Sequence, residues 1–172
     1  MIAHNISFFA FLLLVFLASC NPEESPSPSV GKATFSLSPQ TRNNGRVTEV
    51  PTPAFVLLSI EHSEGTAQEN IKLPLYAFGQ SYLSEGLDLQ IGEYQLFQFV
   101  VLSADNEVIY ATPLEGSELA HFVNDPLPID FVIEENQSTT IVPQVLAVSE
   151  DDTPESFGLV SFGFDVVESA PT

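Results

Sequence analysis

Positive charge is almost missing from this chain. Four Lys and Arg stand against 23 Asp and Glu, a formal charge of −19 over 172 residues. The four are Lys32, Arg42, Arg46 and Lys72. A phosphate backbone would repel such a body, so nucleic acid is not an expected partner. Anionic headgroups would repel it as well, so any hold on a membrane has to be hydrophobic. Tryptophan is absent and cysteine occurs once, at Cys20. A single thiol makes no internal disulfide and no cysteine-based metal cluster. No Gly-x-Ser-x-Gly elbow, His-Glu-x-x-His pair or phosphate-binding glycine loop occurs. Beyond His4 near the start, only His62 and His121 supply imidazoles. No long amphipathic helix is readable either, and no cofactor is expected.

What is present begins with an apolar run. Phe8 to Leu17 is unbroken, as long as a secretory h-region and too short to span a bilayer. Ala18 and Ser19 are small, and Cys20 follows them. Leu17-Ala18-Ser19-Cys20 resembles a lipobox, which implies cleavage between Ser19 and Cys20 and acylation of Cys20. The lipid membrane is then a partner through that one residue. The segment before the run has no Lys or Arg, only His4 and the α-amino group. An ordinary secretory signal and an uncleaved anchor are the competing readings.

Asn21 to Ser29 reads Asn-Pro-Glu-Glu-Ser-Pro-Ser-Pro-Ser. Alternate prolines favour extended backbone, and Ser and Glu keep it solvated, so residues 20–31 form a flexible tether. Glu23-Glu24 resembles the short acidic surface-export signal of bacteroidete lipoproteins; a plain solvated linker is the other reading. The organisation expected is a signal peptide over 1–19, the tether, a β domain over 32–168 and a tail over 169–172.

From Ala33 on, the pattern is short strands. Ala33 to Leu37 alternates and stops at Pro39. Asn43-Asn44-Gly45 signals a turn. Phe55 to Ile60 is apolar on both faces before Glu61 and His62 reach solvent, and Ser63-Glu64-Gly65 turns the chain. Ile71 to Phe78, interrupted by Pro74, suits an edge strand or a bulge. Leu87 to Ile91 alternates cleanly. Gln95 to Leu102 starts in alternation and shifts phase near Leu96-Phe97, the mark of a bulge or a doubly buried strand. Asp105-Asn106 turns it into Val108 to Ala111, a hairpin. Ser117 suits the cap of one helical turn over Glu118 to Val123. Ile129 to Ile133, Thr139 to Val148 and Phe157 to Val167 complete the set. About 7–8 strands with prolines between them imply an all-β fold, a single antiparallel β-sandwich.

Leu89-x-Ile91-Gly92-x-Tyr94-x-Leu96 resembles the Leu-x-x-Gly-x-Tyr-x-Leu pattern of prealbumin-like sandwich modules, such as carboxypeptidase-regulatory-like and fimbrillin-anchor-type domains. Ile91 stands where that pattern usually has proline. The resemblance covers about eight residues and implies architecture alone. The layout as a whole resembles small bacteroidete surface lipoproteins with one β domain, from which no activity carries over.

Two places invite a ligand. Glu150, Asp151, Asp152 and Glu155 offer hard oxygens to calcium, yet lack the spaced order of a known loop, so a solvated charge run is the leading reading. Tyr76 and Tyr82 flank a bend and suit a glycan or peptide contact, whereas Tyr94 and Tyr110 suit the core. His62 reads as a surface residue and His121 as packed on Phe122 and the strand beneath. The expectation is a lipid-anchored, non-catalytic protein of the envelope, in the outer membrane and facing periplasm or exterior. It would serve adhesion, assembly or accessory contact with an envelope or pilus protein. A cation- or glycan-binding lipoprotein is the alternative.

Overall fold

One long strand, β7 (Gly92–Leu102), runs through the middle of the larger of two sheets. The computed structural model describes residues 29–40, 51–79 and 81–161. The expected leader, Cys20, most of the expected tether, the expected Asn43-Asn44-Gly45 turn and everything after Ser161 lie outside the described residues.

Eleven strands are present among the described residues. They are β1 (Val30–Phe35), β2 (Ser38–Gln40), β3 (Phe55–His62), β4 (Ala67–Phe78), β5 (Ser81–Ser84), β6 (Leu87–Gln90), β7, β8 (Val108–Ala111), β9 (Ile129–Ile133), β10 (Ser138–Ile141) and β11 (Gln144–Ala147). The small sheet has the order β10-β1-β6, and the large one β2-β11-β8-β7-β3-β4-β5. Single turns of 3-10 helix occupy Ala120–Phe122 and Pro154–Phe157.

The fold is all-β, as the alternation implies, but not a purely antiparallel sandwich. β1 runs parallel to β10, and β2 parallel to β11. The two sheets also join at one side. The β1 end reaches β5 through the Ser36–Leu83 bridge, with Phe35 N–H donating to Ser84 Oγ at 2.9 Å and Ser36 Oγ to the Tyr82 carbonyl at 2.8 Å. β1 begins at Val30, so the last residues of the expected tether already pair with β6. Three other expectations are corrected. Thr139 to Val148 is two strands, because Pro143 has no N–H to continue a ladder. Phe157 closes a 3-10 turn, and the described residues after it are not in a strand. Ser117 caps no helix; its Oγ donates to the Leu114 carbonyl at 2.6 Å.

The main core lies between the sheets. Phe35, Phe99, Ile60, Leu96 and Leu58 are fully buried in it. Burying each such side chain contributes about 1.5–3 kcal/mol. A second cluster lies on the opposite, outer face of the large sheet. Leu57, Val100, Leu102, Ala111 and Leu146 present that face, and Leu119, Val123, Phe157 and Leu159 cover it. This explains why β3 and β7 read as apolar on both sides.

β7 pairs along its length with β3, while its other edge is shared: β9 takes Gly92–Leu96 and β8 takes Val100–Leu102. Between the two, the register against β3 slips at Phe97, which absorbs the phase shift readable in the sequence. Ser59 holds the slip. Its Oγ donates to Gln98 Oε1 at 2.9 Å and accepts the Asn70 N–H at 3.0 Å.

Candidate functional site

Among the described residues nothing caps the outer face of the β9 half of β7. Three cross-strand rows define it. Glu61, Gln95 and Asp130 stand side by side, as do Glu93 and Val132, while His62, Tyr94 and Phe131 point the other way. Ser63 joins through its N–H, which donates to the Glu93 carbonyl at 2.9 Å. Together they line a shallow concavity of about 590 Å³. Its polar order comes from one contact, Gln95 Nε2 donating to Asp130 Oδ1 at 2.8 Å. Glu61, Glu93 and Asp130 are exposed, so their charges remain solvated. The surface therefore offers acceptors and negative charge.

Beneath it lies the best-defined side-chain constellation of the fold. Tyr94 stacks on Phe131 at 5.4 Å and meets the His62 ring edge-on at 4.8 Å. Tyr94 Oη donates to the Gln90 carbonyl at 3.1 Å, closing the β6–β7 turn. Burial pushes the Tyr94 phenol above its usual pKa. His62 is not the surface residue its sequence position suggests: its side chain is 14% exposed. Nδ1 accepts the Glu64 N–H at 3.1 Å, so the neutral ring carries its proton on Nε2. That Nε2 is buried and has no hydrogen-bond partner. It lies where a Cβ on Gly92 would be, at 2.3 Å, and Gly92 has φ +148°. Gly92 thus makes room for the ring as well as the turn. Among the described residues no serine pairs with this Nε2.

The sequence-derived candidates are dispersed. Tyr76 is 59% exposed on β4, while Tyr82 is half-buried and packs on the core. In the hairpin Tyr76 lies opposite Leu83, and Tyr82 opposite Ala77, so the two tyrosines face opposite sides of the sheet. They form no shared platform. Tyr110 is half-buried rather than fully in the core, and burial, then Tyr82 nearby, pushes its phenol up. In the acidic run, Asp152 Oδ2 accepts the N–H and the hydroxyl of Ser149, each at 2.8 Å. The Thr153 side chain holds Glu155 below the usual carboxylate range. Glu150 and Asp151 are exposed. Among the described residues no three His, Cys, Asp or Glu side chains converge to hold a metal ion. His121 stacks on Phe122 at 4.0 Å, and both rings are exposed. Cys20 and Ser19 lie outside the described residues. Among the described residues no helix is long and apolar enough to cross a membrane.

No family model matches the chain, and no curated protein matches it. It is similar to part of a leucine-rich repeat protein from Bacteroides thetaiotaomicron, with 15% identity and a TM-score of 0.46 over 68% of this chain and 12% of that one. It is also similar to GBS52, the minor pilin of the gram-positive pathogen Streptococcus agalactiae, with 14% identity and a TM-score of 0.38 over 74% of this chain and 48% of that one. The chain spans less than half of either protein. At these scores neither likeness carries anything about function to it.

Proposed function

We propose that this chain is a lipid-anchored, non-catalytic β domain of the cell envelope, held in the outer membrane and acting through adhesion, assembly or accessory contact. The observation that carries this reading is Leu17-Ala18-Ser19-Cys20 at the end of an apolar run, followed by a proline-spaced segment that leads into β1 at Val30. The acidity supports it indirectly. A body of charge −19 has no electrostatic route to a bilayer, so a lipid on Cys20 would do the holding. Two acyl chains, not one, give a lasting anchor. The Leu89–Leu96 stretch supports a prealbumin-like module, with Gly92 at a turn and Tyr94 packed at the start of a central strand.

Cys20→Ala tests the anchor. In the native host the variant is expected to keep residues 1–19, carry no lipid and run above the mature size. A Cys20→Ala chain found with membranes at the mature size contradicts the proposal.

A further inference from the structure

Two asparagines of this chain have a serine two residues further on, in Asn5-Ile6-Ser7 and Asn136-Gln137-Ser138. Asn-x-Ser with a centre other than proline is the acceptor signal for an N-linked glycan. Asn5 falls in the expected signal peptide. Asn136 falls in the folded domain, in the turn between β9 and β10.

The Gln137 N–H donates to the Glu134 carbonyl at 3.3 Å and closes that turn over four residues. Asn136 holds the third position with φ +56°, in the left-handed region that asparagine tolerates better than most residues. The backbone is pinned from outside as well. The Asn136 N–H donates to the Val30 carbonyl at 3.1 Å, and Ser29 Oγ donates to Glu135 Oε1 at 2.9 Å. Every residue from Glu134 to Ser138 is exposed. Among the described residues neither the Asn136 amide nor the Ser138 hydroxyl has a hydrogen-bond partner. Ser138 opens β10, the end strand of the small sheet, where it lies opposite Lys32.

We propose that Asn136 is an N-glycosylation site. The acceptor atom is Nδ2, and the donor is an oligosaccharide carried on a lipid-linked phosphate or pyrophosphate. A bond forms between Nδ2 and the anomeric carbon of the first sugar. The bond from that carbon to the phosphate oxygen breaks, and the phosphate leaves with the electron pair. The amide gives up one of its protons, which balances the charge on the leaving group. Ser138 supplies the hydroxyl that the signal requires. The turn suits the product too. A glycan is bulky and hydrophilic and needs a surface position, and Asn136 stands outside both core clusters. The inference rests on the envelope location proposed above, because the signal is read on exported chains.

Protein isolated from the native host tests it. Mass spectrometry, with fragmentation that leaves sugars in place, is read on the peptide containing Asn136 and separately on the N-terminal peptide. A gain of whole sugar units on Asn136 is expected. Asn136→Gln and Ser138→Ala should each lose that gain, and Ser138→Thr should keep it. Ser138 is exposed, so neither of its substitutions disturbs the core. A bare Asn136, or a sugar that survives Ser138→Ala, overturns the proposal. The N-terminal peptide keeps the two readings apart. Lipid on Cys20 with a bare Asn136 removes the glycan and leaves the anchor, whereas sugar on Asn136 of a chain without lipid removes the anchor and leaves the glycan.

Discussion

At the β8 end of β7, the outer face of the large sheet lies under Leu119, Val123, Phe157 and Leu159; at the β9 end the same face is Glu93, Gln95 and Asp130, open to solvent. One strand serves both halves. The difference is written in its outward residues, Val100 and Leu102 on one side of the Phe97 slip, Glu93 and Gln95 on the other. Val100 and Leu102 can be covered because their burial is favourable, whereas burying Glu93, Glu61 and Asp130 without partners would cost several kcal/mol each. The open half is also the end at which Ser29 meets the sheet. The Ile91 N–H donates to the Ser29 carbonyl at 3.1 Å, and Ser29 Oγ to Glu135 Oε1 at 2.9 Å, so the chain enters the domain beside the β6–β7 turn. The acidic half is therefore the one nearer Ser29.

The contrast breaks most visibly at Phe157. Phe157→Ala opens a cavity under the cap and is expected to cost about 3–5 kcal/mol, measured by urea unfolding. A loss below 1 kcal/mol would mean that the cap is not part of the cooperative core.

The Ser29 end has its own sensitive position. Gly92→Ala forces a side chain into the left-handed region and against His62 Nε2, with an expected loss of about 1–3 kcal/mol. Adding His62→Ala should recover the contact part and leave the backbone part. If the double variant is no more stable than Gly92→Ala, the ring is not what Gly92 accommodates.

Tyr94→Phe removes the hydrogen bond to the Gln90 carbonyl and should cost about 0.5–1.5 kcal/mol at neutral pH. Its pH dependence is more specific. Burial raises the Tyr94 phenol above 10.0 in the folded state, so the unfolded chain releases that proton first. The stability tied to this group is present below pH 10 and is lost as pH climbs from there through the folded value. The gap between the native chain and Tyr94→Phe should therefore narrow above pH 10 in parallel denaturation series; a constant gap contradicts the burial.

Smallest of all, Glu93→Gln and Gln95→Ala on the open face should each change unfolding free energy by less than about 0.5 kcal/mol. A large loss at either would show that the open half is structurally coupled.

The sequence made the two-sided apolar runs of β3 and β7 legible, and the β7–β8 hairpin, where Asn106 takes φ +64°. It also displayed the Phe97 slip as a change of phase. Period-2 alternation says which residues face inward but not which strand lies alongside or in which direction. The parallel pairs β1–β10 and β2–β11 therefore had no local signature. Pro143 carries the break between β10 and β11, a signal that the reading of Thr139 to Val148 as one strand passes over. The separation of Tyr76 from Tyr82 depends on hairpin register, since a shift of one residue would have put both on one face. The burial of His62 depends on space left by Gly92, thirty residues away, which nothing near His62 announces. Conversely, the acidic residues after Ser149 were conspicuous in sequence, yet Asp152 folds back onto Ser149.

The anchor remains the central claim, and the mass of the mature N-terminal peptide isolated from the native host tests it most directly. The account predicts a peptide that begins at Cys20 and carries acyl chains. A peptide that retains residues 1–19, or one that begins at Cys20 with no lipid, would contradict it.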